Sequence, residues 1–272
     1  MKNQLKRIDQ NALARFDKAL ALTNQMLEEG EHRPAEWFDT PEKRAQWWLD
    51  LEPQWRKAFL EAVFQLKRMA NFERYQPADE ELEFLFDLDE LNITGSGSFR
   101  HRNNPPDISF QLSNLSGLKN LTNLKRIECD FNGLIESLEP LRHLVNLEVL
   151  WCDNNRITDL SPLMALHKLR GLCCWNNQIS SIEPLAGLIQ LTDLTLGLYD
   201  EGNPLESIEP LRHLINLEQL HLNACGLETI SSLEKLEKLK WLEASHNDID
   251  SLGTLEGKGI YIRARNNPRL GQ

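Results

Sequence analysis

The sequence predicts an α/β solenoid in which short parallel strands stack side by side and a helical segment closes the first of them. Three observations predict it. A unit that begins Leu147-Glu148-Val149-Leu150-Trp151-Cys152-Asp153-Asn154-Asn155-Arg156-Ile157 starts again at Leu169, Leu191, Leu217 and Leu239, and an earlier copy starts at Leu124. Inside each unit leucines alternate, and apolar residues then recur at every third place, as at Leu160, Leu163 and Leu166. Residues 1–87 lack this pattern and carry apolar residues at helical spacing instead.

The helical part comes first in the chain. Leu5, Ile8, Ala12, Phe16, Leu20 and Leu27 predict an amphipathic helix over about 3–29. Thr40-Pro41 reads as a helix start, with Thr as N-cap and Pro in the first turn, and Trp47, Trp48 and Leu51 fall in that helix. Pro53 opens a third, in which Trp55, Phe59, Ala62, Val63 and Leu66 line one face. Pro77-Ala78-Asp79-Glu80-Glu81 opens a fourth, with acids at its positive end. A terminal repeat would show its leucines to water, so residues 1–87 are expected to cap the solenoid of 88–272. Their aromatics are expected to pack. The segment is larger than a cap requires, which leaves room for a second interaction surface.

The repeats then follow at spacings of 23, 22, 22, 26 and 22 residues, each reading L-x-x-L-x-L-x-x-N-x-L. Degenerate copies flank them, at Leu88-Asp89-Glu90-Leu91-Asn92-Ile93 and at Ile260-Tyr261-Ile262-Arg263-Ala264-Arg265. A single Leu-x-Leu strand cannot bury its apolar side, whereas stacked copies share one continuous core. The ninth position carries Asn132, Asn155, Asn177, Asn203, Cys225, Asn247 and Asn267. An amide there is expected to satisfy backbone groups that the turn out of the strand leaves buried. Cys129, Cys152 and Cys174 fall on the inward sixth position and read as small core residues, while Cys173 falls on an outward place. The five cysteines include no C-x-x-C pair, which suggests neither a disulfide framework nor a cysteine-based zinc site.

These residues resemble the leucine-rich repeat. The 22-residue period, with Ser161-Pro162-Leu163, Glu183-Pro184-Leu185 and Glu209-Pro210-Leu211, resembles the bacterial internalin-type subclass over roughly residues 88–270. Internalin-type proteins bind host-cell surface receptors. The resemblance implies a parallel sheet on a concave face, short helical or 3-10 turns on the convex face, and a protein partner.

In a strand, residues alternating with the leucines point outward. The third positions are Glu90, Arg126, Val149, Gly171, Asp193, Gln219, Trp241 and Tyr261. The fifth are Asn92, Glu128, Trp151, Cys173, Thr195, His221, Glu243 and Arg263, and the seventh are Thr94, Asp130, Asp153, Trp175, Gly197, Asn223, Ser245 and Arg265. Repeat folding does not require aromatics in these places, and interfaces are enriched in Trp, Tyr and Arg. The expected partner surface therefore comprises Arg126, Glu128, Asp130, Trp151, Asp153, Cys173, Trp175, Asp193, Thr195, His221, Asn223, Trp241, Glu243, Ser245, Tyr261, Arg263 and Arg265. Trp151 and Trp175 are expected to be exposed neighbours, with Trp241 and Tyr261 as a second pair. Insertions at 94–107, which contains Arg100-His101-Arg102, and at 198–202 should emerge on one rim.

The 272 residues carry 30 Lys and Arg against 41 Asp and Glu, a net charge of −11. That balance argues against a nucleic-acid or anionic-membrane binder. No apolar run is long enough to span a bilayer, and the charged start lacks a secretion signal's apolar block, so a cytoplasmic monomer is expected. The common hydrolase, phosphate-loop and metalloprotease motifs do not occur. No cofactor, metal or catalytic residue is expected. The leading expectation is a non-catalytic module binding a protein or peptide on its concave face. The alternatives are a stoichiometric inhibitor or antidote of a basic enzyme, and a secreted bacterial effector or adhesin.

Overall fold

The computed structural model describes residues 38–66, 69, 71–95 and 110–270. The helix expected over 3–29 lies outside them, as do residues 96–107 of the first insertion. Among the described residues there are three helices: α1 (Pro41–Asp50), α2 (Pro53–Ala62) and α3 (Asp79–Asp87). Eight strands follow: β1 (Glu90–Asn92), β2 (Arg126–Glu128), β3 (Val149–Trp151), β4 (Gly171–Cys173), β5 (Asp193–Gly197), β6 (Gln219–Leu222), β7 (Trp241–Glu243) and β8 (Tyr261–Arg263). They form one parallel sheet in chain order.

The register is the one that the repeat prescribes. Glu90, Arg126, Val149, Gly171, Asp193, Gln219, Trp241 and Tyr261 are successive partners, and the fifth positions form a second column. Between them runs a buried column of Leu91, Ile127, Leu150, Leu172, Leu194, Leu220 and Leu242. The chain returns along the convex side through 3-10 turns such as Glu139–Leu141, Ser161–Leu163 and Glu183–Leu185. The three-residue apolar spacing suits that turn, whose side chains eclipse every third residue. Proline opens these three turns where an N–H would have no intrahelical partner.

The asparagine ladder ties each unit to the previous one. Asn177 Nδ2 donates to the carbonyls of Cys152 at 3.1 Å and Cys174 at 2.9 Å, while its Oδ1 accepts from Ile157 N–H at 2.9 Å. Asn132, Asn203, Asn247 and Asn267 also bond in both directions. Asn155 differs, because its Oδ1 is buried without a hydrogen-bond partner. The cause is the 23-residue unit before it. One extra residue separates Asn132 from the buried Ile135, and Leu134 is left 37% exposed there. The N–H that would meet Asn155 has moved out of reach. At Cys225, where the ladder lacks an amide, the backbone N–H donates to Asn247 Oδ1 at 2.9 Å.

The helices cover the first units. Thr40 Oγ1 accepts from Lys43 N–H, capping α1 as the sequence predicts. Trp48, Trp55 and Phe59 are buried in one aromatic cluster with Trp47, so these rings are packing. Arg44 locks α1 to α3, with Nε and Nη2 on the two oxygens of Asp79 at 2.7 and 2.6 Å, and a bond to Phe38 C=O. Trp55 then docks α2 on the solenoid. Its Nε1 donates to Asn114 Oδ1, and a Cβ at Gly117 would lie 2.2 Å from its ring. Glu52, which accepts from Asn114 and Ser116 side chains, has its carboxyl held below the ordinary range chiefly by the Asn114 bond.

Two outcomes are expected. Asn177→Ala should destabilise the protein by about 1 kcal/mol more than Asn155→Ala, because it also strands the Ile157 N–H. Equal midpoints in urea unfolding would show that this acceptor bond contributes nothing. Deleting residues 1–77 should cause aggregation or a large fall in melting temperature, and Trp55→Ala alone should cost about 3–5 kcal/mol. A soluble, monomeric truncation with an unchanged melting temperature would instead make 1–77 an independent module.

Candidate functional site

The concave face is built from the third and fifth columns, and its two ends differ. At the far end Trp241 and Tyr261, on adjacent strands, stack with ring centroids 4.1 Å apart and are 36% and 51% exposed. This pair sits where the sequence reading put it. At the near end the Arg126 guanidinium lies 4.3 Å from the Trp151 ring centroid. Its Nε and Nη2 donate to Glu128 Oε1 at 3.0 and 2.7 Å, and Asn92 Nδ2 donates to Glu128 Oε2. Asp193 stands exposed between the two ends.

A polar group fills the fifth column between β6 and β8. Glu243 is buried, with His221 Nδ1 at 3.7 Å and Arg263 Nη1 at 3.6 Å from its two oxygens. Burial pushes the His221 pKa below its ordinary value, and Glu243 only partly opposes this. The imidazole is neutral at pH 7, and Thr195 and His221 are half-buried. Glu243 therefore supports the face from beneath, a correction to its expected exposure.

The larger correction concerns the seventh positions. Asp130, Asp153, Trp175, Asn223 and Ser245, all expected to face a partner, are buried. The pleat alternates only while a strand lasts, and strands such as β3 end at the fifth position. Beyond it the chain turns, and the eighth residue takes the left-handed region at Phe131, Asn154, Asn176, Ala224, His246 and Asn266. That turn folds the seventh side chain against the neighbouring unit. Thr94 Oγ1 donates to Asp130 Oδ1 at 2.6 Å, and Asn223 Oδ1 accepts from Ser245 N–H at 2.9 Å. Arg265, on the outermost unit, is exposed.

Cys173 is a second correction. It occupies the fifth column but is only 7% exposed, and its Sγ donates to Asp153 Oδ1 at 3.2 Å. Trp151 and Trp175 are the third. Trp151 is half-buried beside Arg126, whereas Trp175 is 5% exposed and lies edge-on between Phe131 and Tyr199, each centroid 6.2 Å away. Trp175 Nε1 is buried with no hydrogen-bond partner. Sequence reasoning missed Phe131 and Tyr199, which lie outside the outward columns. The second insertion is a tight hairpin closed by reciprocal Leu198–Glu201 backbone bonds, and Tyr199 at its tip is 71% exposed. It leaves the C-terminal end of β5, as expected. On the opposite rim a shallow polar depression is lined by Arg170, Gln190, Thr192, Asn216, Glu218 and Lys238.

Residues 122–163, 145–187 and 167–213 match the family model for leucine-rich repeats. The repeats are similar to those of internalin-type leucine-rich-repeat proteins. The solenoid is similar to an internalin (inlF) from Listeria monocytogenes, at 26% identity and a TM-score of 0.57 over 75% of this chain and 54% of that one. The chain thus spans about half the length of that relative. It is also similar to internalin C2 from the same species, at 23% identity and a TM-score of 0.58 over 78% of this chain and 92% of the other. A third likeness is to InlJ of that species, whose functional domain includes a cysteine ladder, at 24% identity and a TM-score of 0.52 over 60% and 34% of the two chains. No curated protein matches the chain in sequence. Leucine-rich-repeat proteins of this kind generally mediate protein–protein interactions.

The cysteine row here is inert by environment. Cys129, Cys152 and Cys174 are fully buried, and desolvation raises each thiol pKa well above its ordinary value. Burial pushes Cys225 up to about 12. A thiol reagent at pH 8 should therefore react with the native protein at least about 100-fold more slowly than with the unfolded chain. Cys173, the only one of the five with exposed area, should be labelled first. Rapid native labelling of Cys129, Cys152 or Cys174 would mean that the register is wrong.

Proposed function

We propose that this chain is a non-catalytic, monomeric interaction module that binds a protein or peptide partner on its concave face. The observation that carries the reading is the stacked Trp241–Tyr261 pair, which is exposed on a rigid sheet whose other large apolar side chains are mostly buried. Aromatic anchors of this kind dominate interface energies. Arg263 on β8 and Asp193 on β5 place opposite charges at different points along the same face, which suits a partner held in one orientation. The likeness to internalins supports a protein partner as the ligand class.

The test is capture from cell lysate with the wild type and with Trp241→Ala/Tyr261→Ala. Both rings are exposed, so the variant should melt within a few degrees of the wild type while binding its partner roughly 30-fold more weakly or worse. Arg265→Glu, at an exposed side chain, should act mainly on the association rate, and less so at high salt. A folded double variant that captures the partner normally would overturn the concave-face reading. Capture of a single basic enzyme whose activity is abolished would point to an inhibitor instead.

A further inference from the structure

The rim at the C-terminal ends of β2 to β5 has a chemistry of its own. Residues 128–131, 151–155, 173–177 and 197–203 hold five carboxylates, of which Asp130 and Asp153 are buried and Glu128 is paired with Arg126, leaving Asp200 and Glu201 exposed. Across these turns runs the edge-on row of Phe131, Trp175 and Tyr199. Phe131 and Trp175 come from units two apart, so their rings approach across the unit that carries the fully buried Asp153. The row is held under strain, because Phe131 and Tyr199 both sit at φ near +56°, where bulky residues are rare. Beside it, Asn176 Nδ2 bridges Asn154 Oδ1 and Glu201 Oε2.

Two observations point from this rim to a ligand. Trp175 is 95% buried by its 5% exposure, yet its Nε1 has no acceptor. Tyr199 leaves most of its ring in solvent, flanked by the exposed Asp200 and Glu201. We propose that this rim docks an extended basic segment of the partner protein, an inference that rests on the reading of the chain as an interaction module. An Arg or Lys side chain lies against the Tyr199 ring and pairs with Asp200 and Glu201. A main-chain carbonyl of the segment supplies the acceptor that Trp175 Nε1 lacks. The chain already contains the same recognition in Arg126, whose guanidinium stacks on Trp151 and is held by Glu128. An acidic segment would meet the exposed Asp200 and Glu201 and is disfavoured by repulsion.

The experiment uses fluorescein-labelled (Gly-Arg)4 and (Gly-Glu)4 peptides at physiological salt, followed by fluorescence anisotropy. The wild type should bind the arginine peptide and not the glutamate peptide. Tyr199→Ser and Asp200→Asn/Glu201→Gln should each weaken binding about 10-fold, whereas the charge-matched control Glu206→Gln/Glu237→Gln should change it by less than about twofold. No binding by the wild type, an equal loss in the control, or unchanged binding by the rim variants would overturn the proposal. Trp241→Ala/Tyr261→Ala keeps the two readings apart. It should retain the arginine peptide while losing the cellular partner. A cellular partner captured normally by both rim variants and lost by Trp241→Ala/Tyr261→Ala would overturn the rim proposal alone.

Discussion

Every strand that begins a unit here is too short to be stable alone, and the rest of the molecule follows from how neighbours remedy this. A three-residue strand such as β3 buries one central leucine and must share its backbone bonds with the units on both sides. The ninth-position asparagine makes that sharing specific. Its amide donates to carbonyls of its own unit and the preceding one, and, except at Asn155, its oxygen accepts an N–H from the preceding unit. These backbone groups are buried beyond the reach of water, so an apolar residue there would leave several polar atoms unsatisfied at about 1–3 kcal/mol each. Burial is therefore collective, and the first unit needs a cover. Trp55 and the Arg44–Asp79 pair supply it, joining three short helices to the solenoid.

Locked register also shapes the binding face. Side chains in the third and fifth columns stand about one strand spacing apart, so each lies against its neighbour before any partner arrives. Arg126 on Trp151, Trp241 on Tyr261, and Glu243 between His221 and Arg263 are products of that spacing. The face is thus preorganised, and preorganised aromatics lose little freedom on binding. Where the strands end, the left-handed eighth residue turns the chain back and desolvates the seventh. That is how Asp153, a charged residue on a strongly acidic protein, comes to be fully buried with Cys173 and Asn154 as donors.

The sequence by itself determined the parts governed by period. The solenoid, the order and register of its strands, the structural role of the asparagines and the inward row of Cys129, Cys152 and Cys174 all follow from residues recurring at 22-residue spacing. The helix starts at Thr40-Pro41 and Pro53 follow from local capping chemistry, and the pairing of Trp241 with Tyr261 follows from register alone. Tertiary structure decided what lies beyond the strand ends. The burial of Asp130, Asp153, Trp175, Asn223 and Ser245 depends on a backbone turn that two-residue alternation does not encode. The row of Phe131, Trp175 and Tyr199 joins residues of three different units, one of them on an insertion. The orphaned Asn155 oxygen depends on where one extra residue shifts an N–H. In each case the deciding contact is made between neighbouring units in space, and periodicity along one chain specifies which residues face the same way but not which of them their neighbours will cover.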